Sequence, residues 1–116
     1  MALIRSSKGF ARKSNYPLIV PLISAGNVNY GCANLSADDV NGFSSITVSN
    51  AYGSDSEYAA FYHVAKNDGT ISAQTNITVG TPFTIPTVPS DSVLVITIRV
   101  TASALDRSQG YSVALS

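Results

Sequence analysis

Apolar and polar residues alternate along this chain with a period of two, the pattern of strands that present different faces. Residues 43–50, FSSITVSN, set Ile46 and Val48 on one face and Ser45, Thr47 and Ser49 on the other. Residues 57–65, EYAAFYHVA, alternate with both faces apolar: Tyr58, Ala60, Tyr62 and Val64 against Ala59, Phe61, His63 and Ala65. A strand apolar on both sides is expected to be central and covered on each face. Asn67-Asp68-Gly69 then predicts a hairpin turn, with Gly69 suited to the left-handed conformation. The return strand over 70–79 is expected to direct Ile71, Ala73, Ile77 and Val79 inward.

Gly80-Thr81-Pro82 ends that strand, and Phe83 and Ile85 form a short one bounded by Pro82 and Pro86, which suggests a sheet edge. Residues 92–101, SVLVITIRVT, are the longest strand signal, with Leu94, Ile96, Ile98 and Val100 toward the core and Thr97, Arg99 and Thr101 outward. Residues 111–115 bury Tyr111, Val113 and Leu115, and residues 18–23 and 28–33 form two further strands around Ala25-Gly26-Asn27. Helix signals are few. Ser36 can cap one turn over Ala37-Asp38-Asp39-Val40, and residues 102–107 can form another. Seven or eight short strands with Gly, Pro, Asn and Ser turns predict an all-β fold: a two-sheet antiparallel β-sandwich, jelly-roll or Ig-like, with an extended N-terminal arm.

Charge divides the chain at that arm. Residues 1–13 hold Arg5, Lys8, Arg12 and Lys13 and no acid, whereas the rest holds Lys66, Arg99 and Arg107 against all seven acids. We therefore read residues 1–16 as a basic arm and 17–116 as the sandwich domain. With 116 residues the domain can bury a real core. Charged residues make up only 12% of the chain, about half the usual share, as on a surface partly covered by other protein. The apolar run at 17–23, PLIVPLI, is short and holds two prolines, so it reads as the start of the domain and not as a signal peptide, with the cytoplasm as the default site of synthesis. No stretch reaches the roughly 20 apolar residues of a membrane-spanning helix.

Candidate chemistry is sparse. The lone Cys32 precludes an internal disulfide and reads most simply as a small buried residue. His63 is the single histidine, so a histidine metal cluster is excluded; it is expected to be a packed or interface residue. A thiol–imidazole pair of Cys32 with His63 has no support in their spacing. Asp38, Asp39, Asp55, Asp68, Asp91 and Asp106 fall in predicted loops, where aspartate serves turn geometry. Asp55-Ser56-Glu57 has oxygen ligands at alternate positions but not the spacing of a calcium loop. A sugar-stacking platform would rest on Tyr30, Tyr52, Tyr58, Tyr62 or Tyr111, which read more simply as core or interface aromatics. Asn34-Leu35-Ser36 and Asn76-Ile77-Thr78 match glycosylation acceptors, which carry weight only in an exported chain. No catalytic residue, metal ligand or cofactor site is expected.

Two stretches carry a likeness. One is Ser45-Ile46-Thr47-Val48-Ser49-Asn50, a small polar loop, then the strand from Tyr58 to Val64. The other is Pro82-Phe83-Thr84-Ile85-Pro86, a turn, then Val93 to Thr101. This texture resembles the small β-sandwich structural proteins of tailed-phage virions, among them decoration proteins and tail or fibre modules. It spans about half the chain and carries over no functional residue.

The resemblance implies a non-enzymatic virion component, made in the host cytoplasm, in repeated copies on a capsid or tail surface. The leading expectation is a capsid decoration or auxiliary protein that self-associates. Its partners are other copies of itself and a major capsid or tail protein. Its arm would latch neighbouring subunits through Arg5, Lys8, Phe10, Arg12 and Lys13, with Leu3 and Ile4 as further anchors. Four charges ahead of an acidic body disfavour nucleic acid as the arm's partner. The alternative is a carbohydrate- or receptor-binding module.

Overall fold

The computed structural model describes residues 18–25, 28–50, 58–101 and 110–116. The arm, Asp55-Ser56-Glu57, Tyr52, and the second expected helical turn at 102–107 lie outside the described residues. Among the described residues nine strands run in chain order: β1 Leu18–Pro21, β2 Ile23–Ala25, β3 Val28–Ser36, β4 Ser45–Asn50, β5 Tyr58–Lys66, β6 Thr75–Ile77, β7 Phe83–Thr84, β8 Ser92–Thr101 and β9 Gly110–Leu115. A four-residue helix, α1 Ala37–Val40, follows β3.

The strands form two antiparallel sheets, a four-stranded one in the order β1-β9-β4-β7 and a five-stranded one in the order β2-β3-β8-β5-β6. Successive strands cross between sheets except within the β2–β3 and β5–β6 hairpins. The chain is thus one long antiparallel ribbon, doubled at the β5–β6 turn and rolled up. Along the ribbon β1 pairs β9, β3 pairs β8, β4 pairs β7 and β5 pairs β6. Rolling it adds the contacts of β9 with β4 and of β8 with β5. Of the two expected sandwich types, this is the jelly-roll; an Ig-like order would set the first two strands side by side in one sheet.

Alternation places the core between the sheets. Val20, Ile46, Val48, Tyr111 and Val113 of the four-stranded sheet meet Leu35, Leu94, Ile96 and Ile98 of the five-stranded one, all essentially without exposure. Each such side chain removed from water contributes about 1.5–3 kcal/mol. Tyr62 of β5 stacks on Phe83 of β7 with ring centroids 5.0 Å apart and planes 8° from parallel, which ties the two sheets together. The expected N-cap is present. Ser36 Oγ accepts the Asp39 N–H at 3.2 Å and Asp39 Oδ2 accepts the Ser36 N–H at 2.8 Å, a reciprocal capping box. Val40 of α1 is buried against the core.

Three expectations change. Residues 18–23 are not one strand. The segment bends at Pro21–Leu22, so that β1 and β2 belong to different sheets, a corner at a residue that cannot donate to a ladder. Residues 28–33 extend to Ser36.

The return strand over 70–79 is reduced to β6, because a bulge interrupts it. Ala65 bridges Ile71, but Tyr62 pairs Thr75, so the chain between them carries one residue more than β5. Ser72 fills the break: its N–H donates to Val64 O and its Oγ accepts the Val64 N–H, each at 2.9 Å. A one-residue shift exchanges the faces. Ile77 points inward and is buried, as expected, and Val79 is half-buried, but Ile71 and Ala73 are exposed.

Candidate interaction face

The two outer surfaces of the sandwich differ in chemistry. On the four-stranded sheet the residues opposite the core side chains are mainly hydroxyls: Ser45, Thr47 and Ser49 of β4, Ser112 of β9 and Thr84 of β7, with Ile19, Pro21 and Ala114 the exceptions. On the five-stranded sheet they form cross-strand rows of a different kind. Ile23, Tyr30, Arg99 and Ala59 make the first row. Cys32, Thr97, Phe61 and Asn76 make the second, and Asn34, Val95 and His63 the third. Ser36, Val93, Ala65 and Ile71 make the fourth. Arg99 is the single charged residue among them.

Among the described residues, three of the four exposed large apolar side chains lie on this face: Ile23 at 72% exposure, Ile71 at 60% and Tyr30 at 43%. This corrects the expectation for β5. Its second apolar side, Ala59, Phe61, His63 and Ala65, is only half-buried, and among the described residues no layer covers it. Cys32 is corrected likewise, since it is exposed. Strand β3 turns Gly31, Ala33 and Leu35 inward, which sends Tyr30, Cys32 and Asn34 out.

Gly31 shows why that parity is fixed. A Cβ at Gly31 would lie 2.8 Å from Leu22 Cδ2, 2.9 Å from Val20 Cγ1 and 3.0 Å from Pro21 O. The β1–β2 corner presses on β3 where a side chain is missing. Beside it an open cleft of about 360 Å³ is lined by Pro21, Ile23, Tyr30, Gly31 and Cys32.

His63 is half-buried on the face beside Val95. Cys32 is two strands and one row away, roughly 12 Å by the spacing of strands and residues, so the two do not form a thiol–base pair. Of the candidate tyrosines, Tyr30 is exposed, Tyr62 is stacked on Phe83 and Tyr111 is fully buried. No group of three or more His, Cys, Asp or Glu gathers for a metal among the described residues, and no helix there is long and apolar enough to cross a membrane.

The described acids collect at one end of the sandwich. Asp38 and Asp39 follow β3, Asp91 precedes β8 and Asp68 lies in the turn after β5, and the pairing of Ser36 with Val93 and of Val93 with Ala65 brings these points together. The Asp68 carboxyl is held below the ordinary carboxylate range by the Thr70 backbone N–H, which donates to Asp68 Oδ1 at 2.9 Å, and by the Thr70 hydroxyl. The expected turn is formed there: Gly69 has φ +94° and its N–H donates to Lys66 O at 3.0 Å.

Comparison with known proteins adds no relative: no family model, no curated protein and no solved structure matches the chain.

Proposed function

We propose that this chain is a non-enzymatic assembly protein, a jelly-roll subunit that coats a virion surface by packing against other copies and against a capsid or tail protein. The observation that carries the reading is the nearly uncharged outer face of the five-stranded sheet, which no layer covers among the described residues. An apolar strand face left open to water is disfavoured unless another protein covers it. The edges support contact through the face. Strands β1, β2, β6 and β7 at the sheet edges have four, three, three and two residues, and Pro21 or the bulge after Ile71 blunts two of them, which discourages strand addition. The resemblance to phage β-sandwich proteins supplies the setting, and jelly-rolls recur in viral capsid domains.

The arm is the second contact. Its four bases match the acidic end formed by Asp38, Asp39, Asp68 and Asp91, so the arm of one subunit latches a neighbour there. Phe10 adds an apolar anchor. The test is co-sedimentation with virus particles that display a candidate major capsid or tail protein. The intact chain is expected to sediment with them and to be released by raised salt, because exposed charge pairs are screened. A chain lacking residues 1–16 is expected to fold and stay in solution. Equal binding by the truncated chain would contradict the latch.

One observation favours a carbohydrate-binding reading: Tyr30 stands exposed beside the cleft. Binding on a glycan array that is lost in Tyr30→Ala would replace the assembly reading.

A further inference from the structure

We infer that the outer face of the five-stranded sheet pairs with the same face of a second copy, about a two-fold axis lying between the sheets. The inference deepens the assembly reading and rests on it. Size comes first. The long strands β3, β8 and β5, of nine, ten and nine residues, with the three-residue β2 and β6 beside them, span a flat footprint of roughly 550 Å² at about 4.8 Å per strand and 3.4 Å per residue, which side-chain relief raises toward the ~800 Å² per partner of a standard interface.

Charge comes second. A face with Arg99 as its single charge offers nothing to steer an oppositely charged foreign partner, and sets little repulsion against its own copy.

Shape comes third. The cleft beside Ile23 and Tyr30 occupies one corner of the face, and the projecting Ile71 occupies the diagonally opposite corner. A two-fold axis along the other diagonal exchanges these corners. Each copy then seats its Ile71 at the cleft of the other, an isologous contact made twice. Because the four rows, about 6.8 Å apart, and the five strands, about 4.8 Å apart, each span roughly 20 Å, the same operation crosses the strands of the two sheets near a right angle, one of the two regular modes of sheet packing. It also places Phe61 close to its own copy near the axis, and it brings Arg99 over Asn76 of the second copy.

Light scattering on the intact chain at tens of micromolar tests the pairing. The wild type is expected to be a dimer. Phe61→Asp and Ile71→Asp are expected to be monomers with unchanged circular dichroism, and Ile71, already exposed, makes the second variant independent of folding. Ile19→Asp, on the opposite outer face, is expected to remain dimeric. A monomeric wild type, a dimer that survives Ile71→Asp, or a dimer lost only when residues 1–16 are removed would overturn the pairing. A monomer that still joins particles overturns the pairing and spares the assembly reading; a face-paired dimer that does not join them does the reverse.

Discussion

Single residues set which way this sandwich faces. Gly31 is one: adding a methyl there meets Leu22, Val20 and the Pro21 carbonyl at 2.8–3.0 Å. The two side chains can yield but the carbonyl belongs to the corner, so Gly31→Ala is expected to lower stability by about 1–3 kcal/mol in urea unfolding. Ser36→Ala removes one arm of the capping box and is expected to cost about 1 kcal/mol in the same assay. Asp68 makes a pH-dependent contribution. Its pKa is depressed, so its stabilisation of the turn is present above the ordinary carboxylate range and is lost as pH falls through its lowered value. Faster amide exchange at Thr70 in Asp68→Ala, at neutral pH, checks it.

Elements were legible where alternation was long and unbroken. The face assignments of β4, β8 and β9 follow from their sequences, since Ile46, Val48, Leu94, Ile96, Ile98, Tyr111 and Val113 are all buried. The misread elements are those where something other than alternation governs. The bulge at Ser72 leaves no apolar signature, so Ile71 looks like Ile77 until the register is known. The expectation that Cys32 is buried rests on residue type alone; Leu35, whose burial fixes the parity of β3, lies beyond the expected end of that strand at Ala33. Phe83 illustrates a contact between elements that sequence conceals, because its stacking partner Tyr62 lies in the other sheet. A double-mutant cycle of Tyr62→Leu and Phe83→Leu is expected to give a coupling of about 0.5–1.5 kcal/mol.

At the scale of the molecule, sequence announced a sandwich and left its topology open, because strand order depends on pairings far apart in the chain. The apolar second side of β5 is plain in the sequence, where it predicts cover within the chain. The jelly-roll instead leaves that side outward, and this reversal turns a core feature into an interface.

Cys32 lies in the second row of that face and is the only cysteine, so the rate at which a thiol reagent modifies the intact native chain reports directly on whether the face is covered. The account predicts a rate that falls as protein concentration rises, and a fast, concentration-independent rate in Ile71→Asp. A wild-type rate that is fast and the same at every concentration would contradict it.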